Sequence, residues 1–384
     1  MAAQQNPQEA GRLRPDGVRL ESLDVFRGAT IAAMMLVNNP GTWEAVYPPL
    51  RHAEWHGWTF TDLIFPFFLW IVGVAMTLSF AKRVARGESK SRLVLHALRR
   101  SAVIFALGLF LAGYPFFSLS TLRIPGVLQR IAVCYLIATL IFLYNGVRWQ
   151  IAWTAVFLAV YWVLMKLVPV PGYGAGNLDK VGNFAQYVDS LFLSGHMWAA
   201  TKIWDPEGIV STLPAVSTTL FGILTGHLLR ARWSSEERTA WMFVSGNVLI
   251  VAGLALGMWL PINKNLWTSS FAVFMAGMAL STFAFCYWVV DVRGCRKWAK
   301  PFSIYGMNAI AVYVLAGVLA RTLGLIKLSS EGGNTITLKE WIFRMFFAPL
   351  ASPVNASLLY ALCFVLVLYG MAWVMYRRRW FIKI

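Results

Sequence analysis

The chain has 384 residues, 58% of them hydrophobic and only 13% charged, with a mean hydropathy of +0.59. A soluble domain carries about a quarter charged residues, so this balance excludes one and indicates a polytopic integral membrane protein of all-α class. The formal net charge is +17; Lys and Arg gather on the cytoplasmic side of membrane proteins, which accounts for the excess without a nucleic-acid partner.

Taken in order, residues 1–20 are polar, contain Arg12, Arg14 and Arg19, and lack an apolar core. They read as a disordered cytoplasmic tail rather than a cleavable leader. The remainder, 21–384, reads as a single transmembrane domain. A helix needs about 20 apolar residues to cross the hydrocarbon core. That template predicts ten spans, near 24–40, 60–81, 99–114, 125–144, 148–168, 212–230, 240–259, 267–290, 303–323 and 355–376. The shorter stretch 338–350 carries Lys339, Glu340 and Arg344 and ends at Pro349. It is expected to be interfacial or re-entrant, with an eleventh span as the alternative. With the N-terminus inside, 22 of the 34 Lys and Arg residues fall in cytoplasmic segments and ten in outer ones. Both termini are therefore expected in the cytoplasm. The longest connection, 169–211, opens PVPGYGAGNLD and is expected to be a long outer loop facing substrate. Cys134, Cys286, Cys295 and Cys363 are far apart, without CxxC or Cys/His ligand spacing, so neither a disulfide framework nor a metal site is expected.

Charged and amide groups within or beside spans usually face a cavity or a partner. Asp24 and Arg27 lie three apart at the start of the first span, where they either pair with each other or anchor an anionic donor such as a nucleotide phosphate. Asn38 and Asn39 end that span before Pro40 and Gly41, as a helix terminus or as a pair that orients substrate. The stretch 50–75 holds His52 and His56 four residues apart, with Glu54 and Trp55 between them and Asp62 just inside the next span. An imidazole oriented by an acid at a membrane edge suits a general base or nucleophile near neutral pH. Arg130, about 9 Å into the fourth span by helical rise, is expected to be buried and to pair with an acid such as Asp62. Asn263 and Lys264, followed by Trp267, form a polar knot between two apolar spans. With Asp205 and several Trp residues, the outer segments mix acids, amides and aromatic faces, as sugar binding requires; an interfacial aromatic belt is the other reading. No nucleophile elbow, P-loop or GxGxxG is present.

The blocks SLDVFRGATIAAMMLVNNPG, HAEWHGWTFTDLIFPFFLWIVGVAM, LRIPGVLQRIAVCYLIAT, DPEGIVSTLPAVSTTLFGILTG and LPINKNLWTSSFAVFMAG run in this order over 19–320. Together they resemble the transmembrane acyltransferase family typified by heparan-α-glucosaminide N-acetyltransferase and its bacterial relatives. The resemblance implies transfer of an acetyl group from cytosolic acetyl-CoA to the amine of a glucosamine-type sugar across a bacterial inner membrane. It places the active-site histidine at His52, its partner asparagine at Asn38 and the acid at Asp62. His52 either carries the acetyl group covalently or deprotonates the amine while it attacks the thioester; the direct route is favoured because an acetylated imidazole hydrolyses readily. The substrate is expected to meet Asp24, Arg27, Asn39, Trp55, His56, Arg130, Asp205, Asn263, Lys264 and Trp267. Acetyl-CoA is expected as co-substrate with no metal, and the partners are the acceptor glycan, the bilayer and a second copy of the chain. A sugar or anionic-metabolite transporter using the same cavity without chemistry is the competing function.

Overall fold

Helix α1, Glu21–Asn38, starts the computed structural model, which describes residues 20–329 and 335–382. The expected N-terminal tail lies outside the described residues apart from Leu20. Asn39 closes α1 by donating its side-chain amide to the Met35 carbonyl at 2.8 Å, and Pro40 then stops further winding. The chain returns through α2 (Phe60–Ala85), and continues as α3 (Lys90–Gly113), α4 (Val127–Tyr144), α5 (Val147–Lys166), α6 (Phe184–Phe192), α7 (Thr212–Leu229), α8 (Ser235–Gly257) and α9 (Ser269–Tyr287), the last extended by a π turn through Val292. It finishes with α10 (Lys300–Met307), α11 (Ala309–Leu325), the short α12 (Leu338–Ile342) and α13 (Pro353–Arg377).

Eight of these helices are long and apolar enough to cross a membrane, and nine segments are if α10 and α11 count as one. They account for nine of the ten expected spans. The tenth is α1, whose 18 residues include Glu21, Asp24 and Arg27. The expected span 303–323 is not straight: α10 and α11 meet at 81°. The break falls at Asn308, whose side-chain amide donates to the Trp380 carbonyl at 3.1 Å and whose oxygen accepts from Ile382 N at 3.0 Å. There the helix gives up its own ladder for a tie to the chain's last described residues.

The core follows from which spans are apolar all round. Helix α2 has 78% of its apolar window buried, whereas α5 and α8 have 17%, so α2 is central and those two are peripheral. Phe26, Phe67, Trp70 and Phe283 join α1, α2 and α9 with ring centroids 5.3–6.0 Å apart. Helices α2 and α7 touch backbone to backbone where Gly73 meets Gly222. A Cβ on Gly73 would stand 2.0 Å from the Thr219 carbonyl oxygen, and one on Gly222 would stand 2.0 Å from that of Trp70, so neither site admits a side chain.

The connections 39–59, 114–126, 167–211 and 258–268 gather at one end of the bundle, joined by Trp55 to Leu178, Gly57 to Ile262 and Ile124 to His196. Among the described residues the connections at the opposite end are short turns. The long connection is more ordered than a loop: Asn183 caps α6 by accepting from Gln186 N at 2.8 Å, and Asn183, Asp189 and Asp205 are buried within it. The 338–350 stretch is α12 followed by a π turn over Phe343–Phe347, too short to cross a bilayer. A two-strand antiparallel hairpin, Lys327–Ser329 with Thr335–Thr337, precedes it as a small addition to the all-α plan.

Candidate active site

Asp62 sits in the first turn of α2, three residues after Thr59, which ends the preceding extended segment. This T-x-x-D spacing lets the carboxylate fold back on the chain that leads into the helix. Its Oδ2 accepts from Thr59 N at 3.0 Å and from Ala53 N at 3.1 Å. Thr59 Oγ1 donates to the Arg51 carbonyl at 2.6 Å and fixes the same turn. The other oxygen, Oδ1, lies 2.7 Å from His52 Nδ1. An ionised carboxylate only accepts, so the proton of this bond belongs to Nδ1 and the lone pair of Nε2 is free; the tautomer is assigned from the partner. The Asp62 side chain is 1% exposed and that of His52 is 45% exposed, so the acid is buried while the base faces outward.

The 258–268 connection supplies the third member. Lys264 Nζ lies 3.1 Å from His52 Nδ1, 3.2 Å from Nε2 and 3.7 Å from Asp62 Oδ1. Burial pulls the Lys264 ammonium below its ordinary pKa, and the Asp62 carboxylate opposes that pull. The connection is held in place by several bonds. Gly57 N donates to the Ile262 carbonyl at 2.7 Å, with Gly57 at φ +96°, where a side chain would be strained. Asn263 is fully buried: its oxygen accepts from Leu266 N at 2.9 Å, and its side-chain amide lies 3.3 Å from His56 Nδ1. Trp267, at φ +50°, is wedged against Phe65 and Phe271 and donates Nε1–H to Thr218 at 3.2 Å. A buried tryptophan in left-handed backbone persists only where its surroundings hold it, here at the end of the lysine loop.

The structure thus brings His52, Asp62 and Lys264 together, with His56 and Asn263 as a neighbouring pair. The expected Arg130–Asp62 pair is not formed. Arg130 is buried over the Trp267 ring, 5.2 Å from its centroid, and donates to the Gly208 carbonyl at 3.0 Å and to Ser211 Oγ. Asp62 has its donors from His52, Ala53 and Thr59 instead. Arg130 Nε and Nη1 are buried without a partner among the described residues, leaving two donors for an oxygen not supplied by the chain. Asp205 is likewise committed: it takes Arg123 through both oxygens, at 2.8 and 2.6 Å, and accepts from Trp198 N at 2.9 Å. Trp55 donates Nε1–H to the Leu178 carbonyl at 2.8 Å and packs edge-on against Trp204.

Asn38 and Asn39 line a cavity of about 450 Å³ between α1, α3, α4 and α11, together with Arg123, Gln129, Trp198 and Arg321. Among the described residues no hydrogen bond links Asn38 to His52. Asp24 and Arg27 pair at 3.4 Å at the opposite end, and Arg27 also donates to the Gly306 carbonyl at 3.1 Å.

Sequence reasoning did not single out Thr59 or Asp189, and it offered Asp205 as a substrate contact without its place in the Arg123–Asp205–Glu207 cluster. Thr59 was readable from its capping spacing to Asp62. The cluster joins residues 82 and 84 apart, which no local pattern reveals. Asp189 accepts from Ile209 N at 2.9 Å, and burial pushes its carboxyl up to about 7.

Residues 19–261, more than half of the chain, match the family model described as heparan-alpha-glucosaminide N-acetyltransferase, catalytic. Two curated relatives carry the name heparan-alpha-glucosaminide N-acetyltransferase. The one from Mus musculus is 29% identical over 357 residues, covering 78% of this chain and 54% of the relative. The one from Homo sapiens is 30% identical over 352 residues, covering 77% and 52%. The chain therefore spans about half the length of each. The matched region contains α1, the His52–Asp62 pair and the Arg130 span, and on that match the chain belongs to the heparan-alpha-glucosaminide N-acetyltransferase catalytic family.

Proposed function

We propose that this protein is a transmembrane acyltransferase. It moves the acetyl group of acetyl-CoA, presented from the basic, short-loop end, to the amine of a glucosamine-type sugar at the loop-rich end. The short-loop end, with both termini, faces the cytoplasm of a bacterial inner membrane. The observation that carries this reading is the His52–Asp62 pair: a buried carboxylate that orients an exposed imidazole with Nε2 free, inside the stretch matched to the family.

In this reading His52 takes the proton of the attacking amine and returns it to the departing thiol. Asp62 holds the Nδ1–H tautomer. Asn38, which lines the cavity, holds the acetyl oxygen as the thioester enters. Asn39, Trp55, His56, Arg130, Asn263, Lys264 and Trp267 form the surroundings of the substrates, with the orphan donors of Arg130 available to a carbonyl or an anion. Asp24 and Arg27 receive the nucleotide end of the donor. Asp205 supports the outer segment rather than touching substrate, because its oxygens are taken by Arg123, Trp198 N and Glu207 N.

The test is product formation by the purified full chain from acetyl-CoA and glucosamine, read by mass spectrometry. Alongside it runs thermal stabilisation by acetyl-CoA, which at a hundred times Kd amounts to about 2.7 kcal/mol. Acetylated glucosamine from wild type and none from His52→Ala are expected. Undiminished product from His52→Ala would remove the site assignment.

A further inference from the structure

Lys264 is not placed as a surface lysine is. Its backbone carbonyl accepts from Trp267 N at 3.0 Å, the Asn263 carbonyl accepts from Thr268 N at 3.1 Å, and Asn263 N donates to Thr268 Oγ1 at 3.1 Å. Its side chain is 15% exposed and reaches across to a different part of the chain. The near-equal distances to Nδ1 and Nε2 put Nζ over the face of the imidazole, not in its plane against one nitrogen. The ammonium therefore donates to neither ring lone pair, and Nδ1 already gives its proton to Asp62. Asp62 is its counter-ion at 3.7 Å, but that separation is longer than a hydrogen bond and the carboxylate's short bonds go to His52, Ala53 and Thr59, so the Nζ donors are not spent on it. What remains is a desolvated, pre-positioned cation 3.2 Å from the nitrogen that takes the substrate proton.

We propose that Lys264 is a catalytic residue of acyl transfer, joining Asn38 as a second donor to the thioester carbonyl oxygen as it becomes the oxyanion. This rests on the acyltransferase reading above. An amine whose proton is bound by Nε2 has its nitrogen about 3 Å from that atom. The carbonyl carbon it attacks is then one forming bond away, and the carbonyl oxygen falls within N–H reach of Nζ. The amine lone pair forms the new C–N bond and the carbonyl π pair moves onto oxygen, where Lys264 N–H donors bind it. Nε2 takes the amine proton. The oxyanion then collapses, the C–S bond breaks, and the CoA thiolate leaves and takes the proton from the imidazolium. One acetyl group and one proton have changed places, and His52 and Lys264 end as they began. A fixed cation costs no reorganisation at the moment charge develops, and loss of one such donor slows an acyl transfer about 100-fold or more.

The experiment uses the full chain in detergent with acetyl-CoA and glucosamine. Lys264→Met is expected to lose about 100-fold in kcat, with KM for both substrates within about threefold. The Lys264→Cys protein is expected to be equally slow and to regain at least about tenfold after alkylation with 2-bromoethylamine, which rebuilds an ammonium at the same reach. Wild type treated identically controls for the other cysteines. If Lys264→Met does not fold, the alkylation pair decides, since both arms come from one preparation. The proposal is overturned if kcat survives within about threefold, if the loss is confined to KM, or if alkylation restores nothing to a folded Lys264→Cys protein. An active wild type with a dead His52→Ala and an indifferent Lys264→Met removes this role alone. A wild type that acetylates no amine removes the acyltransferase reading with it.

Discussion

Two clusters of charge stand at the same end of the bundle and are built on opposite plans. In the first, Arg123 reaches 82 and 84 residues along the chain to grip Asp205 and Glu207. Trp198 N and Glu207 N add further donors to Asp205, and the Asp205 side chain is fully buried. The two acids hold the Arg123 guanidinium well above its ordinary pKa against the pull of burial. Both oxygens of Asp205 are thereby committed to the fold. In the second, Asp62 is just as buried and as well supplied with donors, but its chief donor, His52, presents its other nitrogen outward. A polar cluster whose buried acid is fully committed fixes the fold, whereas one that presents an imidazole nitrogen at the surface is equipped for chemistry.

Four substitutions test that contrast, in falling order of expected effect. His52→Ala should remove about 10³-fold or more of kcat, with a smaller fall in melting temperature than Arg123→Ala gives, because Asp62 loses one donor but keeps Ala53 N, Thr59 N and the nearby Lys264 ammonium. Asp62→Asn should lower kcat by about 10²-fold, through loss of the tautomer that keeps Nε2 unprotonated, and should also reduce stability, since a buried acceptor is exchanged for a group that both donates and accepts. Arg123→Ala should do the reverse: it strands buried carboxylates at a cost of about 3 kcal/mol, seen as a fall in melting temperature, while the protein that remains folded keeps its kcat. If Arg123→Ala instead cut kcat in an intact fold, the division between the clusters would fail. Trp55→Phe should be mild, about 1 kcal/mol for the lost bond to the Leu178 carbonyl.

A fifth expectation concerns pH. Asp189 lies against Gly208, and burial raises its carboxyl to about 7 in the folded chain. Below the ordinary carboxylate pKa both folded and unfolded states are protonated. Between about 4 and about 7 the folded state holds the extra proton, so stability declines as pH rises through that window. Melting temperatures measured from pH 4 to 8 should fall with pH at this site, and Asp189→Asn should flatten that slope.

What the sequence disclosed follows the range of its signals. Apolar runs announce membrane helices, so α2 to α5 and α7 to α9 were readable from the sequence, whereas the short α6 lies in the 169–211 stretch expected to be a loop. The 81° break at Asn308 was not, because the residues that stabilise it, Trp380 and Ile382, lie 72 and 74 positions away. The same division holds in the site. His52 and Asp62 are ten apart, joined by a capping turn, and their pairing lies within reach of local reasoning. Lys264 arrives from 212 residues away, and only the fold shows it over the imidazole. Arg130 was correctly expected to be buried, but its assigned partner was wrong: an acid nearer in sequence had already been claimed by nearer donors, and the arginine found carbonyl and hydroxyl oxygens around 208–211 instead.

The most direct measurement places the two substrates on opposite sides of a membrane. In proteoliposomes selected for one orientation, acetyl-CoA is supplied only to the basic, short-loop face and glucosamine only to the loop-rich face. The account predicts N-acetylglucosamine on the glucosamine side, CoA on the other, and neither product with His52→Ala. Unmodified glucosamine crossing into the acetyl-CoA compartment, or product formed by His52→Ala at the wild-type rate, would contradict it.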